Sequence, residues 1–203
     1  MTSRRAARRR AVLIGLSFAL PRRGVLAQGT PGPRPVHWAE PLPKAGVKNL
    51  HRITPTLYRS AQPRRADIAA LRKLGIRTVV SLRSFNDDEK IFRGSGLALV
   101  RIPINTWNIN DAQVADALRA IREAQKAGPV LLHCLHGADR TGVISALYRM
   151  TEQGWRKDDA RSEMLDGGYG YHTLWRNIPA YLRKVDPAAI QAAAAGPAAN
   201  AGS

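Results

Sequence analysis

Ten consecutive residues, His133-Cys134-Leu135-His136-Gly137-Ala138-Asp139-Arg140-Thr141-Gly142, bring a thiol, a glycine, a guanidinium and a hydroxyl together in one short stretch. Cys134 is the chain's single cysteine, so no internal disulfide can form. A lone thiol is a liability unless its reactivity is used, which marks it as a nucleophile to test. The five residues between Cys134 and Arg140 are enough to curl one loop whose backbone N–H groups converge on its centre. Such a nest, added to the positive end of a following helix, binds a phosphate-sized dianion. Arg140 adds a planar fork that can hold two phosphate oxygens at once, which a lysine cannot do. The same positive field favours the thiolate of Cys134, the attacking form.

The stretch resembles the HCxxGxxRTG loop of the protein tyrosine phosphatase superfamily, and within it the compact dual-specificity type found in bacteria, including exported tyrosine phosphatases. Leu57-Tyr58-Arg59-Ser60-Ala61-Gln62-Pro63, Val79-Val80-Ser81-Leu82, Arg101-Ile102-Pro103 and Gln153-Gly154-Trp155 are similar to other segments of those proteins, so the likeness covers roughly residues 50 to 184. The resemblance implies a cysteine-phosphatase fold and a reaction without cofactor or metal. Cys134 would attack phosphorus in line and form a cysteinyl-phosphate that water then hydrolyses. Arg140 and the N–H groups of Leu135, His136, Gly137, Ala138 and Asp139 would hold the equatorial oxygens. By the same analogy Thr141 would offer its hydroxyl to the sulfur, and His133 would steady the loop by hydrogen bonding.

The leaving oxygen needs a proton. Family members usually supply it from an aspartate two to three dozen residues before the cysteine, and Asp111, 23 residues upstream, is the only acid in the segment Asn105 to Asp111. Asn110 and Asp111 also read as the start of a helix, with Asn110 and Gln113 resembling a capping box. Asp139, beside the arginine, is a second candidate acid or a brace for the loop. Arg59 reads as a basic pocket wall or a surface salt bridge, and Trp107 as a stacking platform or a core residue. The histidines show no ligand spacing, which assigns no metal site. Gly167-Gly168 with Tyr169 and Tyr171 reads as a turn between helices.

The elements that must position these residues alternate. Strand-like runs occur at Leu57-Tyr58-Arg59, Arg77 to Leu82, Leu97 to Ile102 and Pro129 to Cys134. Helical patterns place Ile68, Leu71 and Leu74 on one face before Gly75, Val114, Leu118 and Ile121 before Gly128, and Val143, Ile144, Leu147 and Met150 before Gly154. Two more helices are expected near 157–166 and 172–184. The pattern predicts an α/β fold: a central, mostly parallel sheet of about four to five strands flanked by helices. Cys134 then ends a strand and Arg140 begins a helix, at the sheet edge where ligands gather.

Outside that domain, expected over 51–186, the chain is less regular. Residues 28–50 hold five prolines and three glycines, an extended lead-in, and 187–203 read as a disordered alanine-rich tail. Residues 1–27 carry seven arginines and no acid, then the apolar run AVLIGLSFAL, with Val25 and Ala27 ahead of a cleavage site. This reads as a removable export signal of twin-arginine character, hence a periplasmic protein without a permanent membrane span. Removing those seven charges from a total of +17 leaves a moderately basic body of +10. With no basic-aromatic stripe, nucleic acid is excluded as a partner in favour of a phosphoprotein or small phosphorylated substrate. An inositol phosphate or phosphoinositide is the alternative substrate, and a weakly active phosphoanion-binding module the alternative role. A thiol redox cycle lacks its second cysteine.

Overall fold

A computed structural model describes residues 34–85 and 87–196; the expected export signal lies outside the described residues. Within these residues six strands form one sheet: β1 (Glu40–Pro41), β2 (His51–Thr54), β3 (Leu57–Ser60), β4 (Thr78–Ser81), β5 (Ala98–Arg101) and β6 (Val130–His133), in the order β1-β2-β3-β6-β4-β5. The four apolar runs become β3 to β6, all mutually parallel. β6, with every residue buried, lies between β3 and β4, as a continuous apolar strand should. His133 pairs with both Ser60 and Ser81, so three strands end level and Cys134 emerges at their shared carboxyl edge.

The sheet exceeds the expected four to five strands because the lead-in is ordered. Residues 34–50 contribute β1 and bury Ala39, Val47 and Leu50. Pro41 is tolerated because β1 is an edge strand, where an absent N–H breaks no ladder. β2 joins β3 as an antiparallel hairpin.

Among the described residues, seven α-helices cover the sheet: α1 (Ile68–Lys73), α2 (Asp88–Phe92), α3 (Asp111–Gln125), α4 (Asp139–Glu152), α5 (Lys157–Asp166), α6 (Asn177–Lys184) and α7 (Pro187–Ala195). Strand alternation splits the core in two. Tyr58, Val79 and Leu131 pack with Leu71, Ile76 and Phe92 on one face. Leu57, Val80, Val130 and Leu132 pack with Val114, Leu118, Ile121, Val143, Ile144 and Leu147 on the other. None of these helices is long and apolar enough to cross a membrane.

α7 corrects the expectation of a disordered tail over Pro187–Ala195; residues 197–203 of that tail lie outside the described residues. Alanine is the best helix former, and Asp186 caps the first turn by accepting from Ala188 N at 2.9 Å. Ile190 and Ala194 are buried. Arg119 of α3 donates to the carbonyls of Gly196 (2.9 Å) and Ala193 (2.7 Å), satisfying groups that a helix end leaves open.

Between the layers, His51 of β2 is nearly buried, with its ring edge-on to Tyr169 at 4.7 Å between centroids. Burial, aided by the charges of Arg59 and Arg34, lowers its pKa from 6.5 to about 4. Protonation therefore favours the unfolded chain. His51 contributes full stability above about pH 6.5, and that contribution is lost as pH falls toward 4. The loss is bounded at about 3 kcal/mol. Urea midpoints of the native chain are expected to fall across this window, and less steeply in His51→Gln. Identical slopes for the two proteins would remove His51 as a cause.

Candidate active site

The loop after β6 is held open by donors outside it. Gln62 N donates to the carbonyl of Leu135 (3.1 Å), Asn49 Nδ2 to that of His136 (2.8 Å), and Arg59 Nη2 to that of Gly137 (2.7 Å). Three successive carbonyls are thereby drawn outward. Because each peptide is planar and trans, the N–H groups of His136, Gly137 and Ala138 face the opposite way, into the loop. Gly137 has φ +72°, and a Cβ there would lie 2.5 Å from the carbonyl carbon and oxygen of Ser60, so no other residue fits without displacing the backbone.

The donors belong to a buried polar network. Arg59 is 1% exposed, and its guanidinium lies 3.6 Å above the centroid of Tyr169. It is neither the pocket wall nor the surface salt bridge considered from sequence. Burial lowers its pKa, and Cys134 is among the groups whose charge acts on it. Tyr169 Oη donates to Glu163 (3.2 Å), which also accepts from Arg149 (2.7 and 2.8 Å) and from Ala39 N (2.6 Å). Burial alone would raise the Glu163 pKa, but the Arg149 hydrogen bonds and charge outweigh it, and the carboxyl stays ionised. Asn49, in left-handed backbone (φ 56°), spans the carbonyls of His136 and Tyr169. Tyr169 is thus a structural post and not only a turn residue.

Arg59→Leu strands the Gly137 carbonyl and loosens the loop. Its kcat/KM on an aryl phosphate is expected to fall about 10²-fold, the cost of an ångström-scale misplacement, with a lower Tm. Unchanged kcat/KM would show that the loop holds its shape without this donor.

Cys134 directly follows β6 at the start of the loop and is buried, at 1% exposure. His133 Nδ1 lies 3.2 Å from the Cys134 carbonyl oxygen, which can only accept, so this nitrogen carries the proton. Burial keeps the ring neutral despite the Asp88 carboxylate 3.5 Å from Nε2. Asp88, which sequence reading did not single out, is buried and also accepts from Ser81 Oγ (2.5 Å) and Gln62 Nε2 (2.8 Å). It ties the ends of β4 and β6 to the segment after β3.

Arg140 stands in the first turn of α4, with Nη1 3.4 Å from the Ile104 carbonyl. Arg140 Nε and Thr141 Oγ1 are buried without a hydrogen-bond partner among the described residues. Arg140 lines a cleft of about 290 Å³ with Arg83, Ser84, Phe85, Asn105, Thr106, Trp107 and Trp175. Trp107 is 67% exposed and Phe85 86%, so Trp107 belongs to the cleft and not to the core.

The two candidate acids have different surroundings. Asp139 is nearly buried, and its oxygens accept from His172 N (3.0 Å) and face His172 Nδ1 (2.8 Å), bracing the connection between α5 and α6. Asp111 is exposed on the first turn of α3, where Tyr181 Oη donates to its Oδ1 at 2.8 Å. Asn110 accepts from Gln113 N at 3.0 Å as the cap, while the Gln113 side chain turns to the Pro103 carbonyl instead of closing the box.

A buried cysteine at the start of a loop whose N–H groups turn inward, with an arginine at the start of the next helix on a mostly parallel sheet, defines a cysteine-dependent phosphatase. The chain belongs to the family described as Swiss Army Knife protein, DSP-PTPase phosphatase domain, which matches residues 49–193. It is 40% identical over 161 residues to the dual specificity protein phosphatase TpbA of Pseudomonas aeruginosa (strain UCBPP-PA14), covering 79% of this chain and 72% of that protein. The crystal structure of P. aeruginosa TpbA superposes with a TM-score of 0.72 at 38% identity, over 79% of this chain and 98% of that one. A cysteine-to-serine form of TpbA in complex with pTyr gives a TM-score of 0.74 at 36% identity, over 81% of this chain and all of that one.

Proposed function

We propose that this phosphatase hydrolyses phosphotyrosine in proteins. The observation that carries this reading is the cleft beside Arg140, whose Phe85, Trp107 and Trp175 offer flat apolar surfaces for a phenyl ring. The complex of the TpbA relative with pTyr supports it. The Cys134 thiolate attacks phosphorus as the bond to the phenolic oxygen breaks, forming a sulfur–phosphorus bond. Water then attacks phosphorus, releasing inorganic phosphate and returning the thiolate. Arg140 and the inward N–H groups meet the charge that shifts onto the equatorial oxygens. Thr141 Oγ1 supports the departing sulfur in the second step.

Proton delivery to the phenolic oxygen is assigned to Asp111, at the end of the segment that sends Asn105, Thr106 and Trp107 into the cleft. Tyr181 occupies only its Oδ1. A panel of phosphotyrosyl peptides and inositol polyphosphates, assayed across pH, tests both assignments. Peptides are expected to be the better substrates. Asp111→Asn is expected to lose about 10²-fold or more on peptides, together with the basic limb of the pH–rate profile. Preference for the inositol phosphates would overturn the substrate class, and an unchanged profile would remove Asp111 from the chemistry.

A further inference from the structure

The rim of the phosphate loop carries three side chains that the proposed hydrolysis, with Asp111 as its acid, does not use. His136 lies on the loop, Asp139 opens α4, and His172 comes from the connection between α5 and α6. One donor atom from each lies within 4.8 Å of the others. The two imidazoles are exposed and their centroids are 4.9 Å apart, while the carboxylate between them is nearly buried. We propose that His136, Asp139 and His172 bind one divalent transition-metal ion of the zinc type. Sequence spacing does not suggest the site, because His172 joins it only through the fold.

The donor set favours that class of metal. Two imidazole nitrogens and one carboxylate oxygen suit zinc, copper or nickel, whereas magnesium and calcium favour oxygen ligands. A tetrahedral ion with bonds of about 2.0–2.1 Å needs its donors roughly 3.3 Å apart. His172 Nδ1 and Asp139 Oδ2, now 2.8 Å apart, need open by only about half an ångström as the metal replaces the proton between them. That proton passes to solvent or to the other ring nitrogen. The His136 ring, whose exposed side chain makes no hydrogen bond among the described residues, swings in to complete three ligands.

Their backbones are already fixed. Asn49 holds the His136 carbonyl, and Asp139 Oδ1 holds the His172 amide. Three protein ligands leave a fourth position for water or an incoming oxygen. Occupancy pins residue 172 to the loop, and Trp175, in the same connection, lines the substrate cleft.

Calorimetric titration of the full chain, free of any polyhistidine tag, with zinc chloride tests the site. Thermal unfolding with and without the metal gives a second reading. One ion per chain and a raised Tm are expected, with no response to magnesium or calcium. Both effects should persist in Cys134→Ser and weaken at least about 10-fold in His172→Gln and in His136→Gln, since each removes one of three ligands. His136→Gln alters an exposed side chain and keeps the assay informative should His172→Gln fail to fold. Binding that vanishes in Cys134→Ser but survives both histidine variants would place the ion on the thiolate and overturn the proposal, as would no binding at all. Neither readout depends on turnover, so the outcome is separate from that of the phosphotyrosine assignment.

Discussion

Serine in place of Cys134 is expected to lower kcat/KM on a phosphotyrosyl peptide by at least about 10⁴-fold, some 5.5 kcal/mol of transition-state stabilisation. A serine hydroxyl is a far weaker acid than a thiol, so it stays protonated in the same loop and makes a poor nucleophile. Binding should survive. The grip on the phosphoryl group comes from the inward N–H groups and Arg140, none of which the substitution alters, and serine keeps nearly the volume of a residue that is 1% exposed. Steady-state kinetics and calorimetric binding of phosphotyrosine to the same variant check both halves. Turnover above about 1% of native would mean that Cys134 is not the nucleophile.

Arg140→Lys is expected to cost about 10³-fold in kcat/KM, with most of the loss in kcat. Lysine keeps the charge and much of the reach, so a role for Arg140 in electrostatic attraction alone predicts a small effect. The structure indicates more than attraction. Among the described residues Arg140 Nε is buried without a partner and Nη1 makes a long contact to Ile104, so two donors of one rigid plane are available to phosphate oxygens. An ammonium presents a single point of charge and cannot track two oxygens as the phosphoryl group flattens. Single-turnover rates compared with substrate affinity separate the two roles. A loss confined to KM would reduce Arg140 to a binding residue.

What could be read in advance and what could not divides by distance along the chain. The loop chemistry is local: an apolar strand, a glycine and a helix start place Cys134 and Arg140 within seven residues. The central strands β4 and β6 announce themselves as apolar runs because every residue in them is buried. β1 and β2 do not, since prolines and alternating polar residues hide an edge hairpin whose partner is already in the sheet. α7 was obscured by its own composition: an alanine run becomes a helix because α3 offers a surface and Arg119 closes its end. Arg59 and Asp88 carry no local signal of their burial for the same reason. Each is a charged residue whose partners lie far away in sequence, and nothing local distinguishes a buried charge from an exposed one.

The three outward carbonyls of the loop are answered by Asn49, Arg59 and Gln62, all drawn from the segment around one hairpin. The unit that evolution or an engineer must move as one piece is therefore two distant stretches, residues 49–62 and 133–142, and not the ten-residue stretch alone. Grafted without its companion, the shorter stretch would turn its carbonyls back toward the centre and repel the anion it is built to receive. Kept together, the two form a mould that is shaped during folding, before any substrate arrives, so recognition draws nothing from the substrate's own binding energy to create it.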